Sequence, residues 1–163
     1  MGIAARQAVV QDAEELTRLR EVMISTFGPI LDHSWRQPCI EAFRAALADP
    51  DGPLQAFVTD APDEPGVLAA GSVGVIQRRL PGPANPSGLT GYILSVATDP
   101  RFRRRGHARA VVVATLDWLR ACGVPRVDLH ASDEGEALYR ELGFHEPRGL
   151  ALTAWLTSPT SAH

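Results

Sequence analysis

The sequence predicts an α/β domain of three layers, with helices on both faces of one mixed sheet, in the order β-α-α-β-β-β-α-β-α-β. Three observations predict it. Apolar residues keep helical spacing in four stretches and run or alternate over strand lengths between them. In the second half the two periods interleave, strand then helix, as they do around a single sheet. No repeat, low-complexity segment or long linker divides the 163 residues, a length suited to one domain. Residues 1–157 are therefore expected to form that domain, with 158–163 as a frayed tail.

The elements follow in order. Ile3 to Val10 suits a first strand. Asp12 with Glu15 three residues on has the spacing of a capping box, and Leu16, Leu19, Met23 and Phe27 carry a helix to about Thr26. Gly28-Pro29 ends it. A second helix is predicted from about Pro38 to Ala48, with Ile40, Phe43 and Leu47 on one face. Strands follow at 54–60, 67–77 and 91–99, separated by APDEPG and PGPANPSG and stopped by Pro100. A helix from about Gly106 to Ala121, a strand at 126–131, a helix at 134–142 closed by Gly143, and a last strand, LALTAWL, at 150–156 complete the chain.

Composition narrows the function classes. Hydrophobic residues make up 45% and charged residues 21%, the balance of a globular protein that needs no disulfide. Cys39 and Cys122 form no CxxC or Cys/His spacing and read as packed thiols, and no metal site is expected. No signal-peptide core and no membrane-length apolar run is visible, so the expected location is the cytoplasm, with no membrane partner. All sixteen basic residues are arginine, which excludes lysine as a nucleophile or Schiff-base former. The net charge of −3 argues against a nucleic-acid partner. The charge is also uneven: residues 1–60 hold nine acids against five arginines, and residues 61–163 hold ten against eleven.

The arginines concentrate in RFRRRGHARAV, Arg101 to Val111, directly after a strand and at the start of a helix. A helix N-terminus presents unpaired N–H groups and a partial positive charge, which together suit phosphate. Gly106 and Ala108 leave room for close approach, and arginine side chains can clamp the same anion. The stretch is neither a Walker A loop nor a GxGxxG fingerprint. By itself it is equally consistent with a solvated arginine-rich helix start.

In context the choice is clearer. Arg103-x-x-Gly106-x-Ala108 after VATDP, with an aromatic at Phe102 and an apolar helix behind it, resembles the acetyl-CoA-binding motif of the GCN5-related N-acetyltransferase (GNAT) family. LHASDEGEALYRELGF (129–144) resembles that family's second signature, a strand end followed by a helix with Leu-Tyr and a closing Leu-Gly-Phe. The likeness covers about residues 91–146. It implies a central sheet that splays and bulges, so that backbone at Val96 and Thr98 is free to pair with a pantetheine arm. It also implies a pyrophosphate on the amides of Arg104, Arg105, Gly106, His107 and Ala108, with Arg103 closing over it and His107 contributing backbone only.

The same resemblance implies acetyl-CoA as co-substrate, a primary amine of a small molecule or peptide as acceptor, and Tyr139 as the acid for the departing thiolate. Many relatives carry Asn where Ala131 and Ser132 stand, so the cofactor contact of Ser132 departs from the pattern. The base is unassigned. GYILSVAT has no carboxylate, and Glu21, His33 and Glu41 read as surface residues, His130 and His145 as structural or exposed. The acidic N-terminal half would favour a cationic acceptor and the basic C-terminal half CoA. A catalytically weak CoA-binding sensor is the alternative. Dimers are frequent in the family, so a homodimer is within what the resemblance implies, although no stretch of the sequence marks an interface.

Overall fold

The computed structural model describes residues 2–157; the expected tail at 158–163 lies outside the described residues. Five strands form one sheet in sequence order: β1 (Arg6–Gln7), β2 (Leu54–Asp60), β3 (Leu68–Arg78), β4 (Leu89–Thr98) and β5 (Val127–Leu129). The first four pair antiparallel, and β5 joins β4 in parallel through Gly91–Ile93 against Val127–Leu129. The parallel step requires a crossover, which α3 (His107–Ala121) supplies.

Side-chain alternation on β3 divides the core in two. Gly71 and Val73 face α1 (Ala13–Ser25) and α2 (Arg36–Leu47), whose Leu16, Leu19, Phe43 and Leu47 pack with Val58 and Ala97. Ser72 and Gly74 face α3, where Thr115 Oγ1 donates to Ser72 Oγ at 2.9 Å. A Cβ on Gly74 would lie 2.7 Å from Thr115 and 2.9 Å from Trp118, so only glycine lets α3 sit this close to the sheet. Ile93, Val112, Leu119 and Tyr139 of α4 (Glu136–Glu141) form the core on that side.

Four expectations are corrected. The first strand is two residues, not Ile3–Val10, because the chain turns into a 3-10 turn at Val10–Asp12. Asp12 caps that turn by accepting the Val9 N–H at 2.8 Å and pairs with Arg6, so it gives no side-chain cap to α1. Glu15 likewise turns away, to Arg18 and the Leu68 N–H. The helix expected from Pro38 begins at Arg36. The last strand expected at 150–156 has no ladder partner, and those residues lie exposed.

Candidate active site between the splayed strands and helix three

The sheet opens where β4 leaves β5. Past Ile93↔Leu129 the two strands share no register, and opposite Ser72 the β4 chain carries two residues, Ser95 and Val96, where one would fit. Ser95 takes up this bulge with a left-handed φ of 55°. From there to Thr98 one side of β4 has no strand beside it among the described residues. The gap widens into a cleft of about 1140 Å³ between β4, the start of α3, the end of β5, α4 and the C-terminal turn of α1.

At the far end of β4 the chain is anchored before it turns. Asp99 accepts the Arg101 N–H at 3.0 Å and ion-pairs with Arg101 and, at 2.9 Å, with Arg18 of α1. Hydrogen bonds from Arg101, and then from Arg18, hold its carboxyl at about 2 against the opposing effect of its burial. The 3-10 turn Pro100–Phe102 follows, with Phe102 buried and the Arg101 and Arg105 guanidinium groups over its ring at 5.1 and 5.8 Å.

The loop then presents its amides. Arg104 and Gly106 both adopt left-handed φ, 62° and 94°, the alternation that turns successive N–H groups toward one concave point. Gly106 is the N-cap of α3 and supplies no side-chain oxygen. Among the described residues, no acceptor meets the backbone N–H groups from Arg104 to Ala108. Arg103, Arg104 and Arg105 are exposed, and among the described residues no carboxylate pairs with them; Arg103 Nε reaches only the Thr98 carbonyl, at 3.5 Å. Arg101 is different in kind, being bound to Asp99 and Glu64.

Nine of the ten site residues expected from sequence line this one cleft: Val96 and Thr98 on β4, Arg103, Arg104, Gly106, His107 and Ala108 on the loop, and Ser132 and Tyr139 across from them. Arg105 is the exception, its guanidinium lying on Phe102. The His107 ring is buried and its Nδ1 meets Thr59 Oγ1 at 2.9 Å, so the side chain anchors α3 to β2. Burial, with Arg105 adding to it, pushes this imidazole below its usual range. Ser132 Oγ accepts the Gly135 N–H at 3.3 Å, in the turn that leads into α4.

Tyr139 lies on the inner face of α4, 8% exposed, edge-on to Phe144 at 5.9 Å. A Cβ on Gly135, one turn earlier, would lie 2.9 Å from Tyr139 Cε2, so the ring rests directly on the helix backbone there. Its hydroxyl lines the cleft with no hydrogen-bond partner among the described residues, and burial raises it above the usual phenol range. Protonated and uncommitted, it can donate to whatever enters.

The opposite wall was not legible in sequence. Val22, Met23, Thr26 and Phe27 form it, and none is acidic. The acids of the N-terminal half are engaged elsewhere: Glu21 with His33 and Arg36, Glu14 with Arg44, Glu15 with Arg18. The expectation that this half draws a cationic acceptor by its charge is therefore not met at the cleft. His130 lies at the splay with Nδ1 hydrogen-bonded to the Tyr92 hydroxyl, a contact between neighbouring strands that only the β4–β5 register reveals.

The cleft thus lies between splayed strands and sets the unbonded N–H groups at the start of α3 in line with the free edge of β4. The sequence model of the acetyltransferase (GNAT) family matches residues 16–144, and the chain belongs to that family of acetyltransferases. A 1.9 Å structure of a predicted acetyltransferase of Clostridium acetobutylicum with acetyl-CoA superposes with a TM-score of 0.78 at 21% identity, over 93% of this chain and 96% of that one. A GCN5-related N-acetyltransferase from Ralstonia eutropha gives 0.77 at 26% identity, over 94% and 99%. In sequence, 62 residues are 42% identical to a mycothiol acetyltransferase of Beutenbergia cavernae, covering 36% of this chain and 21% of that relative, so the chain spans about a fifth of its length. No helix among the described residues is long and apolar enough to cross a membrane.

Proposed function

We propose that the protein is an acetyl-CoA-dependent N-acetyltransferase that acetylates a primary amine carried next to an apolar group. The observation that supports this most is the continuity of one cleft. It joins the unbonded amides of Arg104–Ala108 to the free edge of β4 and then to the Tyr139 hydroxyl.

The residues present fit acetyl-CoA. Arg103 and Arg104 carry guanidinium groups free for a pyrophosphate, the Gly106 amide approaches without a side chain, and the Val96 and Thr98 backbone offers a ladder edge for an amide-bearing arm. When bound, acetyl-CoA supplies an acetyl thioester whose transfer to an amine releases CoA. Tyr139 donates its proton from Oη toward the departing sulfur, and burial keeps that proton in place at neutral pH. Val22, Met23 and Phe27 shed water from the acceptor's apolar portion. His130, with Nδ1 on the Tyr92 hydroxyl, receives the amine proton at Nε2 in the tautomer that carries its ring hydrogen on Nδ1. Positioning of the two substrates contributes the rest of the rate.

Calorimetric titration with acetyl-CoA and with CoA, on the wild type and Arg103→Glu, tests the binding half. Micromolar affinity that falls at least tenfold in the variant supports it, and no binding by the wild type rejects it. A panel of primary amines, with and without hydrophobic substituents, tests the chemistry. Binding without turnover on any amine would favour the sensor reading.

A further inference from the structure

Removing a proton from an amine needs a base, and β4 offers none: from Leu89 to Thr98 it carries no carboxylate and no histidine. The neighbouring strand places one. Tyr92 stands across from Val75 in the β3–β4 register and across from Asp128 in the β4–β5 register. Val75 shares the face of Val73, which packs toward α1, so Tyr92, Asp128 and His130 lie on that same face. Ile93 and Leu129 lie on the other, where they pack with Tyr139. The alternation of two strands thus sets Tyr139 on one side of the splay and His130 on the other, the side of α1.

The backbone alone does not fix the His130 ring. His130 is the first residue past the last registered pair, Ile93↔Leu129, and its side chain is exposed. Among the described residues its ring bonds one side chain, Tyr92, whose hydroxyl meets Nδ1, with the ring centroids 5.9 Å apart. His130 lines the cleft, and Nε2 has no partner among the described residues. The phenol keeps its own hydrogen, because burial and then the charge of Asp128 push it above its usual range. Asp128, held by Arg126 at 3.1 Å, also draws that hydrogen to its own side and leaves the phenol lone pairs for an Nδ1–H.

We infer, building on the acetyl-transfer reading, that Tyr92 is a positioning residue whose oxygen accepts the Nδ1–H of His130, fixes that tautomer and leaves Nε2 bare for the acceptor amine. Were the phenol to donate instead, the ring hydrogen would sit on Nε2 and no proton could be taken there. The step balances. The amine proton passes to Nε2, the nitrogen electron pair forms the N–C bond, and the C–S bond breaks onto sulfur, which takes the Tyr139 proton. The imidazolium keeps its Nδ1–H on Tyr92, and one proton returning through solvent from His130 to Tyr139 restores both.

Nitrogen NMR of the full chain with labelled histidine tests this without substrate, so it stands or fails apart from the acetyl-transfer reading. The His130 signals are those lost in His130→Gln. In alkaline buffer, where imidazoles are neutral, the wild type should carry its hydrogen on Nδ1. Tyr92→Phe keeps the aromatic ring and should shift the population toward the Nε2–H form that predominates for imidazole in water. Its kcat should fall about tenfold with the KM for acetyl-CoA unchanged, since the remaining Nδ1–H fraction still serves. An Nε2–H ring in the wild type overturns the inference, as does a Tyr92→Phe that leaves either the tautomer or kcat unchanged. Full turnover by His130→Gln would remove His130 from the reaction, and the part of Tyr92 with it, even where the tautomer shift shows that the hydrogen bond is formed.

Discussion

The two walls of the cleft use charge in opposite ways. On the α3 side, Arg103 and Arg104 face the opening with no carboxylate among the described residues to hold them. On the α1 side, Arg18, Arg36 and Arg44 are bound to Glu15 and Asp99, to Glu21, and to Glu14. What the wall presents to the opening there is uncharged. Charge that has a partner in the fold contributes to stability, whereas charge without one is available to a ligand. The count of acids in the N-terminal half therefore did not describe the cleft, while the arginine loop did.

The largest effect should come from the group that belongs to neither wall. Tyr139→Phe removes only the hydroxyl and leaves the ring against Phe144. Turnover should fall by about 10²–10⁴-fold, the range of a lost general acid, while the acetyl-CoA dissociation constant stays within about twofold. Steady-state kinetics beside calorimetry reads both. Parallel loss of affinity would mean that the phenol holds the ligand rather than serving the chemistry. Gly135→Ala should act in the same direction more weakly, about tenfold on turnover, because its methyl displaces the ring it would touch at 2.9 Å.

Next come the arginines, where the two walls should separate. Arg18→Ala leaves the buried Asp99 short of a partner and frees the Leu68 carbonyl. It should destabilise the fold by about 2–3 kcal/mol in denaturant titration and leave acetyl-CoA affinity nearly unchanged once folded. Arg104→Gly should do the reverse. It removes a cation from the cleft and relieves a left-handed φ of 62°, so affinity should fall about five- to tenfold while stability is kept or slightly raised. If both variants lost stability and affinity together, the division between paired and free arginines would not hold.

How much of this could be read from sequence depends on how local each cause is. β2 to β4 and α3 sit within two residues of their expected places because each buries a periodic face. The first and last strands failed because a strand exists through its neighbour, and at 3–5 and 150–156 no neighbour is bonded. Asp12 failed as a cap of α1 because Arg6 and the Val9 N–H, the latter in the capping box of the preceding 3-10 turn, take its carboxylate. The place of the arginine loop at the start of α3 was legible because glycine, arginines and strand-to-helix context all lie within eleven residues. The acceptor wall was not. Met23 and Phe27 keep the spacing of a core face, yet Phe27 is 70% exposed at the lip of the cleft.

The smallest effect is a pH dependence, and it reports on what holds the loop in place. Asp99 keeps its carboxyl at about 2 in the fold against about 3.9 in an unfolded chain. Its contribution, about 2 kcal/mol, is therefore complete above pH 4 and is lost as pH falls from about 4 toward 2. His107 acts in a different window. Its folded value lies below the ordinary 6.5, so the unfolded chain takes up the proton first, and stability begins to fall as pH drops below about 6.5. Denaturant midpoints from pH 8 to 3 should therefore show two declines. Asp99→Asn should flatten the lower one and His107→Gln the upper one. These residues anchor either end of the loop, Asp99 through Arg18 to α1 and His107 through Thr59 to β2. Acid should thus loosen the amide cradle, and acetyl-CoA affinity should weaken over the same pH range in which stability falls.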